Sequence, residues 1–156
     1  MMRVGDDIAN RIAALRNRIN AFILDRLDEE GVEGLAPSHG AVLAALYRDG
    51  PQPMKAICAR VRRDKSTLTV LARKLEALGY IGKEADKNDS RVTILRLTEK
   101  GVAFQGLFER ISDELRRSLW GDASDPEREE FCRRLLEMTE RMERAASGTR
   151  AGTDTR

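Results

Sequence analysis

The apolar residues of the segment 65–78 repeat at helical spacing, and the spacing changes abruptly after Gly79. The helical set consists of Leu68, Leu71, Ala72, Leu75 and Leu78. Such a set lies on one face of a helix and must point into a core. Beyond Gly79, the stretches 80–85 and 92–97 alternate as strands do, with turn-forming residues 86–91 between them. A helix that leads directly into a β-hairpin narrows the possible folds more than any other feature of the chain.

A second short helix and a tight polar turn are predicted just before the 65–78 helix. The expected order is a helix capped by Ser38 that ends near Gly50, a turn at 51–53, a helix over 54–61, a tight turn, and Asp64 as the next N-cap. Two short helices joined in this way make a helix-turn-helix. A hairpin that follows it is a wing. The fold class is therefore mostly α with a small β-hairpin wing.

The outward face of the 65–78 helix has the composition of a DNA-reading surface. It displays Lys65, Ser66, Thr67, Thr69, Val70, Arg73 and Lys74. Small hydroxyl residues let a backbone come close to the groove, and donors and cations can contact base edges and phosphates. The alternative is an ordinary solvated helix face, but such a face more usually carries Glu and Lys. The pattern therefore favours a recognition helix.

The predicted tip of the wing carries a cation with a carboxylate close by in sequence. Arg91 is the candidate for insertion into a narrow minor groove, where negative potential is concentrated. Asp89 is expected to orient its guanidinium through a charge-assisted hydrogen bond. A solvated hairpin turn is the alternative, although it does not explain why the hairpin follows a recognition helix.

The net charge of +2 hides an uneven distribution along the chain. Residues 51–100 contain 12 Lys and Arg against 6 Asp and Glu, whereas residues 1–50 and 101–156 each carry a net charge of −2. A basic centre flanked by mildly acidic arms is typical of a localised phosphate-binding face.

Long amphipathic helices are predicted on both sides of this centre. Their apolar seams include Ile8, Ile12, Leu15, Ile19 and Phe22 near the start, and Phe131, Leu135, Met138 and Met142 near the end. Thr98 is expected to cap a helix that runs to Trp120, and Asp125 to cap the last one. Packing within a monomer is possible, but the narrow stripes favour dimerisation. We expect an N-terminal dimerisation helix in 1–34, the winged domain in 35–101, C-terminal dimerisation helices in 102–147 and a disordered tail in 148–156.

The remaining residue patterns argue against an enzyme, a cofactor or a metal site. The single histidine, His39, has no clustered partner, and Cys58 and Cys132 are expected to pack as apolar residues, with their redox activity left open. Trp120 is expected to anchor a core or interface rather than line an effector pocket. No apolar run is long enough to span a membrane, so we expect a soluble cytoplasmic protein.

Five short stretches together resemble the MarR family of winged helix-turn-helix transcriptional regulators. They are Leu35-Ala36-Pro37-Ser38, Asp64-Lys65-Ser66-Thr67-Leu68-Thr69, Gly79-Tyr80-Ile81, Asp89-Ser90-Arg91 and Leu97-Thr98-Glu99-Lys100-Gly101. The detailed likeness covers residues 35–101, and the flanking helices match only in pattern.

The resemblance implies a homodimer that binds a short pseudo-palindromic operator in double-stranded DNA, usually to repress nearby genes, and that is often released by a small molecule or an oxidant. By position, Ser66, Thr67 and Thr69 would contact bases or phosphates, and Arg91 with Asp89 would form the wing-tip pair. Val70 stands where many members have Arg, and Arg73 where an acidic or neutral residue is common. Val70 could touch a thymine methyl while Arg73 restores a cation one turn later.

Two other functions remain compatible with the sequence. The same basic face could bind an acidic protein, which would make the chain a winged-helix interaction module without DNA binding. A small-molecule-binding helical protein without DNA activity is a third hypothesis.

Overall fold

The computed structural model of the chain describes residues 7–150, with side chains described as far as Ser147. The elements are α1 (Ile8–Glu29), α2 (Pro37–Asp49), β1 (Gln52–Pro53), α3 (Met54–Val61), α4 (Lys65–Ala77), β2 (Ile81–Ala85), β3 (Thr93–Leu97), α5 (Glu99–Trp120) and α6 (Asp125–Arg150). The mostly helical fold with a hairpin wing is confirmed. Two compact units are present, the first ending at Leu115 and the second beginning at Arg116. No described helix combines the length and apolarity needed to cross a bilayer.

The core of the first unit lies between α2, α3, α4 and the sheet. Its fully buried large side chains are Val42, Leu43, Leu46, Ile57, Leu68, Leu75, Ile81 and Leu95. Burying each such side chain contributes about 1.5–3 kcal/mol. The inward row predicted for α4 is confirmed at Leu68, Ala72 and Leu75, all with no exposed surface. Its two remaining members, Leu71 and Leu78, pack against this core while partly buried.

The sheet has three antiparallel strands in the order β1-β3-β2. The hairpin pairs Ile81 with Leu97 and ends at the pair Ala85 and Thr93. The prediction of a simple turn at 51–53 is wrong, because Gln52 and Pro53 form an edge strand against β3. Proline is tolerated at a sheet edge because its missing N–H need not join the ladder.

The start of α2 differs from the prediction that Ser38 is its cap. The helix begins at Pro37, and Ala36, its N-cap residue, has no side-chain acceptor. Instead the Ala36 N–H donates to Nδ1 of His39 over 2.9 Å, and the His39 N–H donates to the Ala36 carbonyl. His39 therefore does what Glu or Gln does in a capping box. Burial, with a smaller effect of the Lys74 charge, lowers the pKa of His39 and favours the neutral ring that this bond requires.

The end of α4 and the beginning of α5 are joined by hydrogen bonds. Thr98 caps α5 as predicted, since its Oγ1 accepts the Gly101 N–H over 3.1 Å. The same hydroxyl donates to the carbonyl of Gly79. Lys100 donates from Nζ to the Leu78 carbonyl over 2.7 Å. These contacts satisfy carbonyls that the end of a helix would otherwise leave without partners.

The second unit begins its long helix with a different cap from the one predicted. The Ser124 N–H and hydroxyl donate to the Glu127 carboxylate over 2.8 and 2.7 Å, so Ser124 rather than Asp125 caps α6. These bonds lower the pKa of Glu127. Trp120 packs edge-on against Phe131, with ring centroids 5.6 Å apart.

The prediction of a disordered tail from residue 148 is wrong for its first three residues, because α6 continues to Arg150. Residues 151–156 lie outside the described part of the chain.

The close approach of α5 to Tyr80, the residue just before β2, makes Gly101 sensitive to substitution. A Cβ added at Gly101 would lie 2.1 Å from the Tyr80 carbonyl oxygen, whereas one added at Gly106 in the same helix would meet nothing within 4 Å. We expect Gly101→Ala to lower the free energy of unfolding by at least about 1–3 kcal/mol. Gly106→Ala should raise it by about 0.5–1 kcal/mol, as for any exposed helical glycine. Urea unfolding followed by circular dichroism measures both; equal shifts would contradict the packing described.

Candidate nucleic-acid interface

The burial of one face of α4 leaves the opposite face open to solvent. Of the predicted contact residues, Lys65, Ser66, Val70, Arg73 and Lys74 are exposed. Thr67 and Thr69 are half-buried on the same helix. The exposed fraction of Val70 is 64%. The structure thus brings the seven predicted residues of α4 onto one continuous surface.

The first turn of α4 is organised by Asp64. Its carboxylate accepts the Thr67 N–H over 2.8 Å, and the hydroxyls of Ser66 and Thr67 also donate to it. These bonds hold the pKa of Asp64 well below its ordinary value. The N-cap predicted here is confirmed, with two hydroxyl bonds that the sequence did not reveal.

The hydroxyl groups of the recognition face do not offer free protons in this conformation. Ser66 and Thr67 donate to Asp64, and Thr69 donates from Oγ1 to the Lys65 carbonyl over 2.7 Å. Their oxygens keep lone pairs and remain acceptors. A phosphate oxygen, which only accepts, therefore needs a cation or a backbone N–H instead. Base-edge donors, by contrast, can be bound by these hydroxyls without disturbing the helix cap.

The cations of the basic centre fall into two groups. Arg60, Lys83 and Arg96 form ion pairs with Asp49, Glu76 and Glu84. Within the described chain, no carboxylate lies within 4 Å of Arg63, Lys65, Arg73, Lys74 or Lys87. Most of the unpaired cations lie on α4 or next to it, where they are available to an external anion.

Arg63 is a candidate contact that the sequence reasoning missed. It lies exposed in the turn between α3 and α4, directly before the Asp64 cap and after Arg62, whose φ of +50° is left-handed. The sequence pattern at 62–64 predicts only a tight turn. Two adjacent arginines next to a helix cap were the signal that could have identified it.

The wing tip is ordered by two carboxylates. Asp86 accepts the N–H groups of Asn88 and Asp89 over 2.8 and 3.0 Å. Asp89 accepts the backbone N–H of Arg91 over 3.0 Å, while its distance to the guanidinium Nε of Arg91 is 3.8 Å. The Arg91 side chain is 93% exposed. Asp89 thus shapes the turn, and the predicted clamp on the guanidinium is only a loose ion pair.

Chemistry-bearing residues elsewhere are sparse in the described range. Residues 7–147 contain no group of three or more His, Cys, Asp or Glu side chains placed to hold a metal. Cys58 is half-buried and packs against the core, as expected. Cys132 is exposed, so the expectation that it packs is wrong for this structure.

Comparison with known proteins identifies the type of domain that carries this surface. Residues 35–101 match the family described as winged helix DNA-binding domain. The transcriptional regulator MhqR of Bacillus subtilis is 36% identical over 69 residues, which are 44% of this chain and 48% of MhqR. The crystal structure of MarR superposes with a TM-score of 0.69 at 25% identity and covers 92% of this chain and 97% of its own. Residues 35–101 thus match a winged helix DNA-binding domain, and the fold of the chain is similar to that of MarR.

The similarity to known proteins is limited in sequence identity and in coverage. The structure of Bordetella bronchiseptica BpsR, whose DNA binding is regulated by 6-hydroxynicotinic acid, has a TM-score of 0.74 at 18% identity, with coverage of 89% and 97%. At that identity it shows a common fold. In sequence, this chain spans about half the length of the curated relatives that it matches. Those matched relatives are transcriptional regulators.

The Asp64 cap can be tested by two substitutions, of which only one keeps a side-chain acceptor. Asp64→Ala should lower the melting temperature, because it leaves the Thr67 N–H without a partner. Asp64→Ser keeps a side-chain acceptor, so its melting temperature should stay close to that of the parent. Since the pKa of Asp64 is lowered, its stabilisation is present above the ordinary value of 3.8 and is lost as the pH falls through the lowered value. Thermal unfolding of both variants and the parent measures this. Equal melting temperatures for Ala and the parent would exclude the cap.

Proposed function

We propose that this chain is a member of the MarR family and acts as a homodimeric, sequence-specific DNA-binding transcriptional repressor. It binds a short pseudo-palindromic operator and leaves it when a small molecule binds. The observation that carries the proposal is the exposed face of α4, where unpaired cations surround Val70 and hydroxyl acceptors in a segment of net charge +6. Since the matched relatives are bacterial regulators, we also place its action in the cytoplasm, where bacterial transcription takes place.

Each element of the interface has a distinct role in this proposal. The helix α4 enters the major groove with its N-terminal half, and Lys65, Arg73 and Lys74 bind phosphates or guanine acceptors. Val70 contacts a thymine methyl. The wing places Arg91 in the adjacent minor groove, where its long exposed side chain meets the most negative potential.

Apolar surface on the terminal helices supports the homodimer. On α1, Ile8, Ile12, Leu15 and Leu24 are each more than two-fifths exposed. On α6, the exposed fraction is 50% for Phe131 and 70% for Met142. A monomer in water rarely leaves such continuous stripes uncovered. Burial against a second copy removes them from water and sets two α4 helices about one DNA turn apart.

The ligand response rests on the resemblance and on one structural relative. BpsR, which shares the fold, is regulated by 6-hydroxynicotinic acid. We extend the principle of a small-molecule effector to this chain, without its identity. A conformational change that alters the spacing of the two α4 helices would convert ligand binding into release from DNA.

DNA binding is tested by selecting bound duplexes from a random library and titrating the selected site by fluorescence anisotropy. We expect the dissociation constant to rise steeply with salt, because phosphate contacts release counterions, and a random duplex to bind at least about a thousandfold more weakly. Affinity that is independent of salt, or equal for all sequences, contradicts the proposal. Binding to an acidic protein but not to duplex would favour the interaction module instead.

The wing contact has a matched control within the same hairpin. Arg91→Ala should weaken operator binding and lower the salt slope by about 1, because one phosphate-proximal cation is lost. Arg96→Ala, which removes a cation already paired with Glu84, should change neither by a comparable amount. Identical effects of the two substitutions would remove the special role of the wing tip.

The dimer is tested by sedimentation equilibrium. Leu135→Glu places a charge in the exposed apolar stripe of α6 and should shift the protein toward monomers, since burying an unpaired carboxylate costs several kcal/mol. Glu129→Arg, on a different face of the same helix, should leave the dimer intact. A parent protein that sediments as a monomer at micromolar concentration would overturn the homodimer.

A further inference from the structure

A crevice lies between the beginning of α3 and the beginning of α4. Its volume is about 230 Å³, and its lining consists of Met54, Lys55 and Cys58 from α3 and Lys65 from α4. The Sδ atom of Met54 lies 3.8 Å from the Thr69 hydroxyl oxygen, so the crevice borders the recognition face directly. Because Lys65 belongs to both surfaces, the exposed face of α4 continues into the crevice.

The lining of the crevice has an apolar part and a cationic part. Met54 and Cys58 lie one helical turn apart on the same face of α3, are half-buried and supply an apolar surface that contains two sulfur atoms. Lys55 and Lys65 are exposed, and neither forms an ion pair with a carboxylate of residues 7–147. The crevice is therefore complementary to a ligand that is apolar on one side and anionic on the other.

The sugar-phosphate backbone of DNA has both of these properties. Deoxyribose presents carbon-bound hydrogens, and each phosphate carries a negative charge. Since an apolar cavity of about 150 Å³ holds benzene, the 230 Å³ of the crevice accommodates a five-membered sugar together with part of its phosphate. A free inorganic phosphate would use the two lysines and leave the apolar surface in contact with water. The lining therefore favours a nucleotide unit over an isolated anion.

We propose that this crevice holds one sugar-phosphate unit of the operator. The deoxyribose packs on Met54 and Cys58, and Nζ of Lys55 and of Lys65 binds the phosphate oxygens. The inference rests on the proposed DNA binding and deepens it, because it adds α3 as a second contact element beside the base-reading face of α4. Phosphate contacts carry no sequence information, but they fix the register of a protein on the duplex. The crevice thus sets how α4 is placed in the major groove.

Neutral methylphosphonate linkages, placed one at a time along the selected operator, identify the phosphate that the crevice holds. One such linkage should weaken binding of the parent protein at least about tenfold, as expected for the loss of hydrogen bonds to a charged group. Lys55→Gln should bind the unmodified operator at least about fivefold more weakly, with a salt slope smaller by about 1. The same linkage should then cost this variant less than about threefold, because one of the two cations that bind that phosphate is already gone.

Lys83→Gln is the matched control for this substitution. It removes the same charge from the same basic segment, but from a lysine that is already paired with Glu76 over 2.7 Å. It should change the affinity for the operator by less than about twofold and keep the full sensitivity to the methylphosphonate. If positive charge acted only through the overall field, both variants would weaken binding alike, and that result would overturn the assignment of Lys55.

The two cysteines of the chain provide a readout that does not depend on charge. Cys58 lines the crevice, whereas Cys132 is exposed on α6 in the second unit. Saturating operator should slow the alkylation of Cys58 by N-ethylmaleimide at least about tenfold, because thiol reactivity requires access, and should leave the rate at Cys132 unchanged. Mass spectrometry of the two cysteine peptides measures both rates. Inorganic phosphate at the same ionic strength should not protect Cys58.

Anisotropy with the unmodified operator comes first, because it separates the two ways in which the proposal can fail. Undiminished alkylation of Cys58 in the operator complex, protection by inorganic phosphate alone, or equal methylphosphonate sensitivity of the parent and Lys55→Gln would each overturn the crevice assignment while operator binding stands. A parent protein that binds no duplex would overturn the proposed function, and the crevice assignment with it.

Discussion

The burial of the apolar row of α4 is the constraint on which the interface depends. Leu68, Ala72 and Leu75 have no exposed surface, and truncating a buried leucine typically costs about 2–5 kcal/mol. A rotation of the helix by one residue would withdraw this row from the core. The direction in which Val70 and Arg73 point is therefore set by packing on the far side of the helix, and not by anything on the face that they share.

Both ends of α4 are held as well, so the helix cannot slide along its axis without breaking specific bonds. Asp64 satisfies the N-terminal N–H of Thr67, and Lys100 and Thr98 bind carbonyls just past the C-terminus. Because Thr98 also caps α5, hydrogen bonds join the start of that helix directly to the end of α4. Phe104 of α5 packs edge-on against Tyr80 with ring centroids 5.2 Å apart, which adds a packed contact at the same junction.

Periodicity predicted what depends on neighbours in sequence. The order of helices, the hairpin, the Asp64 and Thr98 caps and the inward row of α4 all follow from spacing and local hydrogen bonding. The strand at Gln52 and Pro53 did not, because its pairing with β3 joins residues about forty positions apart. His39 was missed for a related reason: its ring replaces a carboxylate in the capping box, and burial, which the sequence does not show, lowers the pKa of the ring and favours its neutral form.

The candidate contact residues were predicted as a set, but their chemistry needed the structure. The sequence suggests three free hydroxyl donors. In the structure, the hydroxyls of Ser66, Thr67 and Thr69 all donate to acceptors in the first turn of α4 or its cap. Nothing in the spacing reveals that choice, since a hydroxyl rotates to the nearest acceptor and the Asp64 carboxylate is the strongest one nearby. The contact positions themselves stay predictions until an operator complex is measured.

This assignment of protons has a consequence for the bases that α4 can read. With the hydroxyls acting as acceptors, the complementary groups in the major groove are the amino donors of adenine and cytosine. In the proposed complex Val70 would add a preference for the thymine methyl, and thymine is the partner of adenine, so both contacts could be satisfied by neighbouring A·T pairs. Guanine acceptors would be left to the exposed cations, and among those of α4 only Arg73 has the fork geometry for a bidentate bond. The cap that stabilises the helix would thus also restrict the base sequences that α4 reads in the proposed complex.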